Sequence, residues 1–422
     1  MRISRYVFLM VLVVVFLREE CAHADLFDTF GMDAQGIAMA GARCAGVDNL
    51  SALYYNPAGL GKNEGHALGL SYLYTTPSLQ VRGATSSVPE DSDLCFGAYI
   101  ITLGLNINQI VNLPRKASFA FGLSMMDDMT MVRLEDLEEQ RYTYVQYGAP
   151  IERSAIYLGL GVEVLPEYLY LGVGAHAMIG GDVAANLTLD AQDLSTTQQV
   201  TPSEQEIWME MKMKLNPTAG IIVHPTKAIR VGLSYRDDIE VNLEPFQADL
   251  AVNIGSHAAH INACTAIMSF WHPKSYQGGL SYQHGDLTLE VDVTYDRWSQ
   301  FRLSSPREIR RIAPSFDDVF SYRLGMEYRL PRVTLWSGYQ YAPSPVPDQS
   351  GESHYLDADR HIASLGAGTT YKDPWGVLNK PLGLRLAIQD QFLRERTFHA
   401  KGYSYTLKGN VICGIISLQL KF

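Results

Sequence analysis

Most of what chemistry requires is absent from this chain. Among 422 residues only five are cysteine, with no CxxC pair and no histidine at metal-ligand spacing. Neither a GxGxxG nor a P-loop motif occurs, and the scattered Ser and His residues mark no triad in sequence. No enzyme, cofactor or metal is therefore expected. After the N-terminus no stretch reaches the roughly eighteen uninterrupted apolar residues that would suggest a spanning helix. Positive charge is scarce too: the formal net charge of −11 argues against a nucleic-acid partner, because phosphate binding needs clustered Lys and Arg. No Pro/Ser-rich linker or shift of composition divides the chain after about residue 65.

The N-terminus points to export. Arg2 and Arg5 precede an apolar run from Tyr6 to Leu17, too short for the roughly twenty residues of a spanning helix. Ala22-His23-Ala24 then places small residues one and three positions before a cut at Ala24-Asp25. Residues 1–24 are thus expected to be a cleaved signal peptide. The charged Arg18-Glu19-Glu20 argues against lipid attachment at Cys21. Cys44, Cys95, Cys264 and Cys413 remain, far apart, so a disulfide is permitted in this compartment but not implied.

What is present is alternation. Leu287, Leu289, Val291, Val293 and Tyr295 alternate with Thr288, Glu290, Asp292, Thr294 and Asp296; Leu382, Leu384, Leu386 and Ile388 alternate with Gly383, Arg385, Ala387 and Gln389. Ile207, Met209, Met211, Met213 and Leu215 alternate likewise with Trp208, Glu210, Lys212 and Lys214, which reads as lipid-facing Met and lumenal charge rather than a metal or redox site. In strands these sets occupy opposite faces. A soluble sandwich would bury the apolar faces against each other, whereas a membrane barrel turns them to lipid. The export signal, the tyrosines near strand ends and the last strand favour the barrel. That strand alternates Ile412, Gly414, Ile416, Leu418, Leu420 and Phe422, an ending that resembles the signal read by bacterial barrel assembly machinery.

About fourteen strands are expected, centred near Leu70, Tyr99, Phe121, Leu158, Val173, Met213, Leu233, Leu280, Val291, Met326, Leu335, Leu365, Leu386 and Ile416. Short turns at Leu165-Pro166-Glu167, His224-Pro225-Thr226, His284-Gly285-Asp286 and Leu330-Pro331-Arg332 alternate with long connections near 126–150, 192–205, 245–274, 299–318 and 343–358. That asymmetry suits periplasmic turns and external loops. Gly180-Gly181-Asp182-Val183 is expected to bend or bulge its strand. The fold class is therefore an all-β transmembrane antiparallel barrel over 65–422, in the lipid of a bacterial outer membrane.

Residues 25–64 differ. Gly31, Gly36, Gly41, Gly46, Gly59 and Gly61 punctuate small residues, which allows short helices and close turns but no large core. A barrel of about fourteen strands is wider than the eight that side chains fill, so its lumen needs water or a plug. This leader is suitable material for one. Asn56-Pro57-Ala58 alone reads as an ordinary turn in which Asn caps and Pro fixes φ. The whole stretch Met39 to Leu60, however, resembles the N-terminal hatch of the FadL family of outer-membrane long-chain fatty acid transporters, with its toluene-X branch for aromatic hydrocarbons. The resemblance continues in order through Asn216-Pro217-Thr218-Ala219-Gly220, Val231-Gly232-Leu233-Ser234-Tyr235-Arg236, Asp292 to Phe301, and Tyr339 to Asp348.

The resemblance implies passive uptake of hydrophobic molecules, fatty acids first. Ligand would enter an apolar lumenal pocket, and hatch movement would open a path to lateral exit near a kinked third strand. Gly122 is the candidate for that kink. Lys212, Lys214, Arg323 and Arg385 are the candidate partners of a ligand carboxylate, with Glu210 or Glu327 as rival partners for them. A monomer is expected. Two rival functions remain open on sequence: a porin-like channel for polar solutes, and a surface structural or adhesive barrel whose long loops bind other molecules.

Overall fold

The computed structural model describes residues 26–83, 94–127, 143–147, 154–191, 201–254, 257–301, 316–347, 355–372, 380–400 and 403–422, with 179–191, 201–213 and 240–270 described by backbone alone. The expected signal segment lies outside these residues. Strands run in the order β1 Ala67–Arg82, β2 Phe96–Asn106, β3 Ala117–Met126, β4 Thr143–Tyr144, β5 Ala155–Leu165, β6 Leu169–Ala191, β7 Thr201–Met213, β8 Asn216–Val223, β9 Ile229–Arg236 and β10 Ile239–Ile254. They continue as β11 His257–His272, β12 Ser275–His284, β13 Leu287–Asp296, β14 Val319–Arg329, β15 Thr334–Ala342, β16 Tyr355–Leu356, β17 Arg360–Tyr371, β18 Leu382–Ala400 and β19 Tyr403–Lys421.

Fourteen of these form one closed antiparallel wall in the order β1-β2-β3-β5-β6-β8-β9-β12-β13-β14-β15-β17-β18-β19. The last strand returns to the first, from Ala67 opposite Lys421 to Arg82 opposite Thr406, and this closes the fourteen-strand wall on itself. Phe422 secures the seam: its N–H donates to the His66 carbonyl at 2.9 Å, and its own carbonyl accepts from His66 N at 3.0 Å.

The wall is inside out relative to a soluble protein. On β13, Glu290 and Asp292 are 1 % and 0 % exposed, while Leu289 and Val291 are 38 % and 50 % exposed. A charged face is buried and an apolar face is open, which suits lipid outside and a filled lumen within. Aromatic belts mark both rims. Tyr235, Tyr276, Tyr295 and Phe320 lie along one end, and exposed Tyr168, Tyr282, Tyr328, Tyr371 and Phe422 lie at the short-turn end.

Two local readings need correction. The sixth wall strand is β8, not a strand centred at Met213. The alternation at 207–215 belongs to β7, which pairs with the outer part of β6 from Ile179 opposite Met213. Lys214 and Leu215, both exposed, separate it from β8. Period-two alternation reports a strand, not the depth at which it lies. Pro217 further obscured β8; it sits opposite Ala175 with its ring facing outward. Secondly, Gly180-Gly181-Asp182-Val183 carries no bulge. The β6–β7 register runs unbroken there and shifts only between Thr188 and Leu189. The expected long connection at 245–274 is largely a hairpin, β10 with β11, whose β10 also pairs parallel with the outer part of β6.

Candidate functional site

Residues 26–64 make only short elements: α1 Leu26–Thr29, α2 Ala34–Ala38, α3 Ala52–Tyr55 and a 3₁₀ turn Pro57–Lys62. Helices this short do not persist on their own. The wall holds them, through contacts that reach lumenal side chains from β2 to β19 and place the segment inside the barrel.

The tightest contact is at Asn56-Pro57-Ala58. The buried Asn56 caps the 3₁₀ turn, accepting from Ala58 N at 3.1 Å, with Pro57 at the first position of the turn. Its Nδ2 donates to the carbonyls of Cys44 at 2.8 Å, Ile221 at 3.2 Å and Leu233 at 3.2 Å. One side chain thus joins two parts of the segment to β8 and β9. Beneath it runs a row of glycines, Gly161, Gly172 and Gly220, directly paired across β5, β6 and β8. A Cβ at Gly172 would lie 2.1 Å from Pro57 C, and one at Gly220 would lie 1.9 Å from Asn56 Oδ1. The glycines evident inside strands therefore form a seat where two backbones meet. Asn56→Ala should lose about 1–3 kcal/mol of this docking; hydrogen exchange at 58–62 would rise while barrel amides stayed protected.

Farther round the wall from the seat, acceptors on β13 and β14 grip the segment. Asp292 Oδ2 accepts from Arg43 N and Cys44 N, each at 2.8 Å, and from Gln277 Nε2 at 3.0 Å. Glu290 Oε1 accepts from Ala45 N and Gly46 N, each at 2.8 Å. Glu327 accepts from Gln35 Nε2 and Trp336 Nε1 at 2.8 Å and pairs with Arg329 at 2.6 Å. Lumenal Glu327 thus serves the N-terminal segment, not a ligand-binding cation.

The lumen is two-sided. Polar residues Gln277, Thr288, Glu290, Asp292, Thr294 and Gln340 face inward from β12 to β15. Apolar Leu73, Phe96, Ile100, Met126, Val411 and Ile415 face inward across β1, β2, β3 and β19. Toward the external end lies an aromatic collar in which Trp298, Trp271, Phe301, Phe316 and Tyr355 touch in that order. Phe27 and Phe30 of the segment pack against Tyr54, Tyr157, Phe96 and Tyr147.

Among the described residues, cavities of about 30 Å³ and about 20 Å³ lie against the segment, each with room for little more than a water. The first is lined by Met32, Leu50, Ile100 and Arg385; the second by Asp28, Tyr54, Arg236 and Arg323. The sequence candidates separate accordingly. Arg385 lines the first cavity and donates to Gln419 Oε1 at 2.9 Å. Arg323 lines the second and donates to Thr294. Lys214 is exposed and lies outside the lumen, in the link between β7 and β8. Lys212 stands on β7 opposite Gly180, and its side chain lies outside the described residues, as does that of Glu210. The structure does not bring these four cations together. Both ladders pass through Gly122 without a register shift; a Cβ there would meet Leu53 and Met32 at 3.2 Å.

Sequence reasoning missed a cluster at the second cavity. Asp28 on α1 accepts from Arg236 and Tyr54 and lies 2.7 Å from His272 Nε2. The Arg236 guanidinium stacks 4.1 Å from the Tyr54 ring centroid. Burial opposes charge on Asp28, but Arg236, His272 and Tyr54 outweigh it and hold the carboxyl well below the usual range. The available signal was Arg236 at the end of an alternating strand, facing the same way as the lumenal set.

A family of outer-membrane transport proteins (OMPP1/FadL/TodX) matches residues 19–398. The alkane uptake protein A of Marinobacter nauticus is 24 % identical, over 94 % of this chain and 91 % of its own length. Among solved structures, a Pseudomonas aeruginosa FadL homologue superposes with a TM-score of 0.61 at 14 % identity, covering 93 % of this chain and 98 % of that one. The Ralstonia pickettii toluene transporter TbuX follows at 0.56 and 14 %, covering 94 % and 100 %. Closed wall, filled lumen and matched family agree, and the chain belongs to the OMPP1/FadL/TodX family of outer-membrane hydrophobic-compound transporters, which are not enzymes.

Proposed function

We propose that this barrel takes up long-chain hydrophobic molecules, fatty acids first, by diffusion from the aromatic collar along the apolar wall, with residues 25–64 as the hatch. The observation that carries this is the two-sided lumen. Polar strands β12–β15 grip the segment, while the collar and the inward residues Phe96, Ile100, Val411 and Ile415 belong to one buried apolar cluster. A drug-sized ligand needs a pocket of roughly 300 Å³ or more, so a ligand that enters either of these two cavities displaces the side chains that line it. The occupied lumen weighs against a polar-solute porin. Exit beside Gly122 on β3 fits the same apolar side of the wall.

The test is equilibrium binding of labelled palmitate to the folded, detergent-solubilised protein beginning at Asp25. Saturable binding, competed by unlabelled palmitate and not by a sugar, is expected. Competition by hexadecane at equal strength would move the ligand class toward alkanes, in line with the alkane uptake relative. No saturable binding of any hydrophobe to the folded barrel would sink the proposal.

A further inference from the structure

We propose that the β2–β3 turn, residues 107–116, is seated in the phospholipid leaflet facing the periplasm, with Ile110, Val111 and Leu113 among the acyl chains and Arg115 at the phosphates. This contact does not depend on which hydrophobe the barrel carries. At the short-turn end β12 and β13 are joined by two residues, whereas β2 and β3 are joined by ten. The extra length is folded rather than slack. A 3₁₀ turn, Ile107–Gln109, opens it, and the Ile107 carbonyl accepts from Ile110 N at 3.0 Å and Val111 N at 2.7 Å. Asn108 closes it. Its Nδ2 donates to the carbonyls of Leu113 at 3.2 Å and Arg115 at 2.7 Å, and its Oδ1 accepts from Ala117 N at 2.7 Å.

The polar groups of the turn serve the protein. Gln109 Nε2 reaches the Glu64 carbonyl at 3.5 Å, Lys116 pairs with the Glu64 carboxylate at 2.9 Å, and Asn106, where β2 ends, donates to the Asn63 carbonyl at 2.8 Å. What the turn leaves to the outside is apolar: Ile110, Val111 and Leu113 are 64 %, 53 % and 37 % exposed. Such side chains on an ordered turn gain free energy by entering an apolar phase. The place of the turn makes that phase lipid. Asn106 N donates to His66 Nδ1 at 3.1 Å, and the His66 backbone pairs with Phe422, so the turn leaves the wall at the level of the short-turn aromatic belt. From there Leu103 and Leu105 on β2 and Phe119 on β3 continue the outer face into the lipid-facing band. Charge agrees. In a chain of net charge −11 these ten residues contain no acid and end in Arg115-Lys116, which suits phospholipid phosphate. Backbone pairing agrees as well, because Asn108 satisfies carbonyls that no strand reaches and that lipid could not.

The experiment places the photo-cross-linker p-benzoylphenylalanine at Val111 of the barrel beginning at Asp25, in vesicles of phosphatidylethanolamine and phosphatidylglycerol. Irradiation should add the mass of one phospholipid to the peptide that carries position 111. The same probe at Asp286, on the two-residue turn between β12 and β13, should give about tenfold less adduct. Ile110→Asp together with Leu113→Asp, in the chain that carries the probe at 111, should lower its adduct to the Asp286 level, because carboxylates at the tip are expelled from the leaflet. If the Val111 chain does not fold to a heat-modifiable barrel, the probe at Leu113 answers the same question. Irradiation of whole cells separates the occupants. A lipid adduct at 111 there supports the leaflet contact, whereas a cross-link to another protein or to a second copy of this chain overturns it. No lipid adduct at 111 in vesicles, or as much at 286, also overturns it.

Discussion

Gly220→Val should unseat the N-terminal segment and turn a silent barrel into a conducting one. The added Cβ would begin 1.9 Å from Asn56 Oδ1 and 3.0 Å from Pro57 Cδ. Neither neighbour can yield: Asn56 is held by carbonyls of Cys44, Ile221 and Leu233, and Pro57 is rigid within the 3₁₀ turn. Overpacking of this kind costs about 1–3 kcal/mol, and the loss of the Asn56 hydrogen bonds adds about 1 kcal/mol each. A shift of roughly 3–5 kcal/mol raises the population of the displaced segment by about 10²–10³ or more. Planar-bilayer recording should show frequent discrete openings where the wild type shows few. Gly172→Val should act alike, since its Cβ would meet Pro57 C at 2.1 Å. Gly414→Ala, on β19 with nothing within 4 Å of the added atom, should leave conductance at the wild-type level. Silence in both wall variants would mean that the seat does not hold the segment.

The sequence displayed the wall better than its contents, for a physical reason. Period-two alternation is local, so β13, β18 and β19 were legible residue by residue, and the count of fourteen followed from turns such as His284-Gly285-Asp286. The same signal misled at Met209–Met213, because a strand that continues beyond the membrane alternates just as a spanning one does. The Asn56-Pro57-Ala58 stretch was legible as a pattern, but not its partners. That Asn56 would meet Gly220 depends on contacts between residues 164 apart in the chain. The inward glycines were visible as weak points in strands, and only the packed segment explains them. Charge was hardest to read. Lys212, Lys214, Arg323 and Arg385 were chosen by parity, yet the cation with a carboxylate already in its grasp is Arg236, paired with an Asp more than 200 positions earlier.

The second large effect is expected at Asp292, where the distinction between charge and hydrogen bonding can be measured. Its Oδ2 alone accepts from Arg43 N, Cys44 N and Gln277 Nε2. Asp292→Ala strands two buried backbone donors and one side-chain donor, at about 1–3 kcal/mol for each group left without a partner. Combined with Glu290→Ala, which also frees Ala45 N and Gly46 N, the grip on residues 43–46 is removed. Hydrogen exchange at these amides should then rise by about 10²–10⁴, with β1–β19 pairing and heat-modifiable mobility unchanged. Asp292→Asn makes the opposite prediction despite losing the charge. An amide oxygen placed where Oδ2 stands still accepts from Arg43 N and Cys44 N, and the cost of burying an ion disappears. Exchange at 43–46 in Asp292→Asn should therefore stay within about tenfold of wild type. If Asn proves as damaging as Ala, then negative charge rather than an acceptor holds the segment, and the polar wall acts on it through its field instead of through individual bonds.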